Sequence, residues 1–173
     1  VVETAGLFRH DFTKNLARFE SEDGGDPNAP NHVSVTRLSA DDKQDNLFCK
    51  LLLVQFDGPI AGTQPTPVKP EPGKPLPGNP SGEGMKIKSL HATGPHVFVS
   101  VEREQLLAQG TELRYEVNGR ESVTTLRGTP VVAVREKNRL QTGSTAVPGE
   151  IKITSLEPAL GSKDAKTTTI TVN

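Results

Sequence analysis

Half of the chain's 14 prolines fall in one stretch, residues 63–84 (TQPTPVKPEPGKPLPGNPSGEG), which holds almost no apolar side chains. Proline fixes φ near −65° and supplies no backbone donor, so neither a helix nor a central strand runs through it. Each residue before a proline is pushed towards extended backbone. The stretch reads as a semi-rigid spacer that could hold its ends up to about 60 Å apart, with its glycines allowing bends. It divides the chain into an N-terminal part, 1–62, and a C-terminal part, 85–173, expected to be two small domains on either side of a linker. Domains this small bury a modest fraction of their surface and are marginal alone.

Net charge is −1, so nothing suggests electrostatic binding to nucleic acid. The single cysteine, Cys49, lies in the apolar run LFCKLLLVQF and reads as a buried small hydrophobe, with no disulfide or metal-ligand spacing available to it. A secreted unit of this size normally leans on disulfides, so their absence suggests folding in a reducing compartment or support from a partner. No apolar run is long enough for a membrane helix, and no signal peptide is visible. The sequence opens on Val1, which reads as removal of an initiator Met or a longer leader.

In the N-terminal part, Leu7, Phe8, Phe12, Leu16 and Phe19 recur at near-helical spacing among polar residues. This predicts a short amphipathic helix with Asp11 or Thr13 as its cap. The stripe serves either its own domain's core or another chain, and few apolar residues nearby could receive three phenylalanines. The acidic segment 20–31 (ESEDGGDPNAPN) lacks the EF-hand spacing and reads as a solvated loop rather than a calcium site. Residues 32–38 alternate as a half-buried strand, and 47–56 is almost continuously apolar, as in a strand covered on both faces. Asp41, Asp42 and Asp45 fall in the loop between them. The N-terminal part therefore reads as a small α+β docking domain of arm, helix and hairpin. A lone hairpin is marginal in water, so a partner is expected to complete it.

The C-terminal part is plainly β. Strands are expected over 85–90, 96–102, 111–117, 120–126, 130–135, 150–156 and 167–172, with one helical turn within 102–109. Asn118-Gly119 is a strong hairpin signal, and a bulge is expected beside it to bring Val123 onto the face of Tyr115. Short strands with regular turn signals are the pattern of a β-sandwich. Three segments carry a resemblance: Val131 to Val134, Gly149 to Thr154 (G-x-I-x-I-T) and Thr168 to Val172 (T-x-T-I-T-V). They resemble the last strands of bacterial immunoglobulin-like modules. The resemblance implies an immunoglobulin-like sandwich over 85–173 and carries no catalytic residues with it.

The residues do not assemble a chemistry. His91 and His96 flank Gly94-Pro95, read as a turn, with no carboxylate at metal-binding spacing in sequence. There is no G-x-S-x-G elbow and no glycine-rich loop opening a helix. The expected protein is not an enzyme and uses no cofactor and no metal. Its architecture resembles capsid decoration proteins of tailed phages, in which a small shell-binding domain is joined through a Pro-rich linker to an outward-facing immunoglobulin-like domain. That resemblance implies a structural protein of the virion surface, assembled in the host cytoplasm and docked on a large protein shell through Leu7, Phe8, Phe12, Leu16, Phe19, Leu51 and Leu53. It implies no nucleic-acid partner and no membrane insertion, and a weak contact of the C-terminal domain with host surfaces or glycans. The alternative is a bacterial cell-surface or secreted module for adhesion or carbohydrate binding. The glycan reading is weakened because Tyr115 alone could stack on a sugar, and its strand position suggests core.

Overall fold

The computed structural model describes residues 1–22, 32–38, 42–57, 86–102, 105–158 and 167–173. The described residues are mainly β and form one antiparallel sheet. In chain order the strands are β1 (Val2–Glu3), β2 (Leu7–Asp11), β3 (Leu16–Glu20), β4 (Val33–Leu38), β5 (Gln44–Cys49), β6 (Leu51–Asp57), β7 (Lys86–Val101), β8 (Leu106–Asn118), β9 (Glu121–Gly128), β10 (Val131–Arg135), β11 (Asn138–Thr142), β12 (Gly149–Leu156) and β13 (Thr167–Val172). The Pro-rich stretch 63–84, residues 23–31 and Asp41 lie outside the described residues.

The sheet is built on two long strands. β7 pairs along its length with β8, from Ser89↔Glu116 to Val101↔Leu106. On its other side β7 pairs first with β6, from Asp57↔Lys86 to Leu51↔Thr93, and then with β5, from Phe48↔Phe98 to Asp45↔Val101. From this centre the sheet divides into two wings. One runs β2-β3-β6-β7-β8-β9-β12-β13, and the other runs β1-β4-β5-β7-β8-β10-β11.

A crease separates the wings. Lys50 interrupts β5 and β6, yet its N–H donates to the Thr93 carbonyl at 3.0 Å and its carbonyl accepts from Ser21 N–H at 2.9 Å. Opposite it, the β7 register shifts between Thr93 and Val97. Gly94 lies directly against Lys50, where a Cβ would come within 2.9 Å of the Lys50 nitrogen. On β8 the crease falls at Gly110, where the strand leaves β9 for β10 and a Cβ would come within 2.5 Å of the Arg127 carbonyl oxygen. Glycine is required because backbone approaches backbone too closely for a side chain. Strands that bend and change sheet partners at bulges are how a β-sheet turns a corner onto itself.

Folding at the crease brings the inner faces of both wings into one core. Ala17, Leu52, Val54, Ala92, Leu113, Leu126 and Ile151 come from the first wing; Val33, Leu47, Cys49, Val97, Ala108 and Val131 come from the second. Alternation places these side chains on one face because successive strand residues point to opposite sides. The lane Phe8–Phe19–Leu52–Ala92–Leu113–Leu126–Ile151–Val172 crosses the first wing through six consecutive pairings within the sheet and a seventh onto β13.

Several sequence expectations are corrected here. The helix over 7–19 is the β2–β3 hairpin, in which Phe8 pairs with Phe19. The apolar run 47–56 is the end of β5 plus β6, split at Lys50. The expected strands 85–90 and 96–102 are one strand, so Gly94-Pro95 is a bulge within β7 rather than a turn. The expected helical turn within 102–109 is confined to its start, where Glu102 is in a 3-10 turn and Gln105 N–H donates to the Glu102 carbonyl at 3.1 Å, while Leu106–Gln109 belong to β8. The tight hairpin after β8 turns on Gly119 and Arg120, with Gly119 at φ 63° and Asn118↔Glu121 paired in unbroken register. No bulge is needed, because Leu126 rather than Val123 stands opposite Leu113, and Val123 faces the other side with Glu116. Most consequentially, Asp57 and Lys86 are paired neighbours. The described residues before and after 58–85 therefore share one sheet and one core. The strands β4, β9, β10, β12 and β13 fall where the sequence predicts them.

Leu52 is 0% exposed at the centre of this core. Leu52→Ala is expected to lower unfolding free energy by about 2–5 kcal/mol in urea titration. Gly94→Ala should cost roughly 1–3 kcal/mol through forced displacement of the Lys50 backbone. If the crease couples the wings, both variants unfold in a single transition.

Candidate functional site

The expected docking residues do not form one stripe. A strand sends alternate side chains to opposite faces, so the hairpin divides them. Phe8 and Phe19 lie on the inner face, with ring centroids 4.8 Å apart. Leu7, Leu16, Leu51 and Leu53 lie on the outer face, and Phe12 sits in the turn. Phe19 packs against the core cluster, whereas Phe8 and Phe12 are 56% and 69% exposed.

The turn that carries Phe12 is firmly built. One Asp11 carboxylate oxygen accepts from Thr13 N–H at 2.9 Å, Thr13 O–H at 2.6 Å and Lys14 N–H at 3.2 Å. The Thr13 hydroxyl is the main cause holding the Asp11 carboxyl below its ordinary range, helped by the two backbone donors. Asn15 closes the turn at φ 50°, a left-handed conformation that asparagine tolerates. The His10 ring meets Phe12 edge-on, with centroids 4.3 Å apart.

The hairpin also presents open backbone. Phe56 N–H donates to Asn15 carbonyl and Ser21 N–H to Lys50 carbonyl, which fixes the odd-numbered residues of β3 as bonded to β6. The even-numbered ones bond to Leu7, Arg9 and Asp11 of β2. The backbone N–H and C=O of Phe8 and His10 therefore point away from the sheet. Among the described residues nothing pairs with that edge. The edge thus combines the exposed rings of Phe8 and Phe12 and the half-buried ring of His10 with the outward backbone groups of Phe8 and His10.

The outer face of the same wing is polar. The Arg18 guanidinium contacts Glu20 at 2.7 Å, and that of Arg127 contacts Glu150 at 2.7 Å. Between them, Glu112 accepts from Arg114 at 2.7 Å and sits 2.7 Å from His91 Nε2. Leu51 and Leu53 are half-buried among these charges. Sequence reading missed the His91–Glu112–Arg114 group because its members meet only across the β7–β8 ladder. The visible signal was the alternation Glu112, Arg114, Glu116 on one face of β8. Burial pushes the Glu112 carboxyl up, but hydrogen bonds and charge from Arg114 and His91 outweigh it and hold it below its ordinary value of 4.5.

Concave chemistry is sparse. A depression of about 420 Å³ lies beside Gln44, Asn46, Ser100 and Glu102, open to solvent at the end of the β5–β7–β8 ladder. Among the described residues no three His, Cys, Asp or Glu side chains gather as a metal site. His91 and His96 both lie on β7, and His96 Nδ1 is 3.4 Å from Gln109 Nε2. Burial pushes the Cys49 thiol up to about 12, so it is held as the inert thiol at neutral pH. No family model matches the chain, and no curated protein or solved structure matches it.

The depressed Glu112 value fixes a sign. A carboxyl whose folded pKa is lowered stabilises the fold above its unfolded pKa, and that contribution is lost as pH falls through the folded value. Wild type is therefore expected to exceed Glu112→Gln in stability at neutral pH. The difference should shrink as pH is taken below 4.5 in paired denaturation curves. A difference independent of pH would mean that the Glu112 charge contributes nothing.

Proposed function

We propose that this chain is a non-enzymatic binding protein that docks on a larger protein assembly through the β2 edge, with Phe8, His10 and Phe12 as the contact. The single observation that carries this reading is the pairing of two largely exposed aromatic rings with a strand edge that is unpaired among the described residues, on a hydrogen-bonded turn. Rigid aromatic anchors supply contact area at little entropic cost, and an extended segment of the partner can add to an open edge through backbone bonds. The hairpin is already packed on the core through Ala17 and Phe19, so docking needs no folding of β2 and β3 on the partner.

The partner class favoured is a preformed protein shell, of the kind that tailed-phage decoration proteins bind. The body that projects from it would carry the immunoglobulin-like strands: β12 and β13 hold the G-x-I-x-I-T and T-x-T-I-T-V segments as an antiparallel pair, with β9 on the other side. These pairings support the likeness of the C-terminal strands.

The test is co-sedimentation of the chain with preformed phage capsid shells. Binding at a fixed copy number is expected, with loss of roughly 1–2 kcal/mol or more per ring in Phe8→Ser and Phe12→Ser. Both variants should keep the wild-type denaturation midpoint to within about 1 kcal/mol, since surface changes cost little. Equal binding by wild type and the double variant would overturn the docking surface. Binding to bacterial cell-wall fragments but not to shells would favour the surface-module alternative.

A further inference from the structure

The opposite end of the same wing carries a second open edge, of different character. β13 pairs on one side with β12, from Ile151↔Val172 to Leu156↔Thr167, and among the described residues nothing pairs with its other side. All six of its residues, TTTITV, are exposed. Natural edge strands are normally protected by charges, prolines or bulges. β13 has no charged side chain and no proline, and its pairing with β12 runs in unbroken register.

The hydrogen-bond phase of this edge is determined. Glu150 N–H donates to the Asn173 carbonyl and Asn173 N–H to the Glu150 carbonyl, both at 3.0 Å. Glu150 and Asn173 are therefore a mutually bonded pair, and the phase alternates from there. Thr171, Thr169 and Thr167 direct their backbone groups towards β12. Thr168, Ile170 and Val172 direct theirs outward. The same three residues place their side chains on the inner face, in line with Ser155, Ile153 and Ile151. Ile170 is 52% exposed and Val172 41%.

We infer that β13 joins the β13 of a second copy of this chain in an antiparallel, two-fold pairing centred on Ile170. A two-fold axis normal to the sheet requires opposing residues to share a face, so it must pass beside a single residue. Centring on Ile170 pairs Ile170 with itself and Thr168 with Val172 of the second copy. All three outward-facing residues then exchange both of their backbone bonds with the partner strand, giving three mutually bonded pairs. The apolar lane Ile153–Ile170 continues into its symmetry equivalent, and Ile151–Val172 continues onto Thr168 and Ser155. On the outer face Thr171 meets Thr169, and no charged side chain of one β13 faces one of the other. The strand is thus complementary to its own copy in bonding phase, side-chain pairing and charge.

The alternative edge for β13 is β2 of another copy. That contact would place Phe8 and His10 against β13 and would leave a free β13 and a free β2 at the two ends. Repeated, it builds an open chain of subunits rather than a closed pair.

The test uses the full chain in sedimentation velocity and light scattering across a concentration series. A monomer–dimer equilibrium is expected. Ile170→Pro removes an outward N–H while leaving the β12 ladder intact, and should weaken the dimer roughly tenfold or more, since two symmetry-related bonds are lost. Phe8→Ser should leave the dimer unchanged. As a check that does not depend on the proline variant folding, Ile170→Cys is oxidised mildly. Mutually bonded antiparallel residues stand about 5.5 Å apart at Cα, within disulfide reach. Cross-linked dimer is expected at position 170, and much less for Thr169→Cys, whose symmetry mate lies one diagonal away. Buried Cys49 does not compete, its thiol being held protonated. A monomer at every concentration, open-ended oligomers sensitive to Phe8→Ser, or cross-linking no better at 170 than at 169 would each overturn the inference.

Discussion

Both wings depend on the close backbone contact at the crease, where Lys50 and Gly94 meet. Among the described residues, the two strands that cross it, β7 and β8, are the only ones that belong to both wings, and each changes partner there. A flat sheet of these strands would leave its inner face wet. Bent at Gly94 and Gly110, the same residues share one cluster in which Leu52, Val97, Val33 and Val131 are fully buried. Aromatic side chains are scarce in this sequence, and three core positions are the small residues Ala17, Ala92 and Ala108. Small side chains let the wings approach closely, so the bend and the core composition are consequences of one another.

What the sequence discloses about the fold follows from how local each determinant is. Gly149–Leu156 and Thr167–Val172 alternate within their own length, Val131–Arg135 is a short continuous apolar run, and all three are found as strands. Gly119 with its left-handed φ likewise marks its turn locally. The helix expected over 7–19 failed for a specific reason. Apolar residues placed symmetrically about a reverse turn can imitate helical spacing, and Phe8 and Phe19 stand opposite one another across the hairpin. Asp11, expected as the helix cap, instead accepts from the N–H groups two and three residues on in an Asx turn of the hairpin, which Asn15 completes.

Non-local features were hidden for the opposite reason. Nothing in GPH at 94–96 distinguishes a bulge from a turn until β8 is seen running unbroken beside it. Nothing near 57 or 86 announces that these residues pair across the Pro-rich stretch, because a spacer's composition says how far it can reach and not where its ends lie. Of the candidate docking residues, Phe8 and Phe12 were visible as aromatic residues with little local core to receive them. His10 was not, since its place beside them comes from the hairpin alone.

The two open edges stand at opposite ends of one wing. From β2 to β13 the order β2-β3-β6-β7-β8-β9-β12-β13 makes seven strand spacings. At about 4.8 Å each, the edges lie at most roughly 34 Å apart along the sheet. Their chemistries differ. β2 carries Arg9, His10 and Asp11, and Asp11 is committed to its turn, which gives that edge a charge pattern able to select a partner. β13 carries only threonines with Ile170 and Val172, which selects for nothing but an equally neutral strand in the right bonding phase. A copy paired through β13 therefore leaves both β2 edges free and facing outward at the two ends of a continuous sheet. Two docking hairpins held at a fixed separation gain avidity on any assembly that repeats its binding sites at that spacing, without a new contact being made. In the proposed arrangement the two edges are complementary parts: the neutral edge sets the distance, and the aromatic edge reads it.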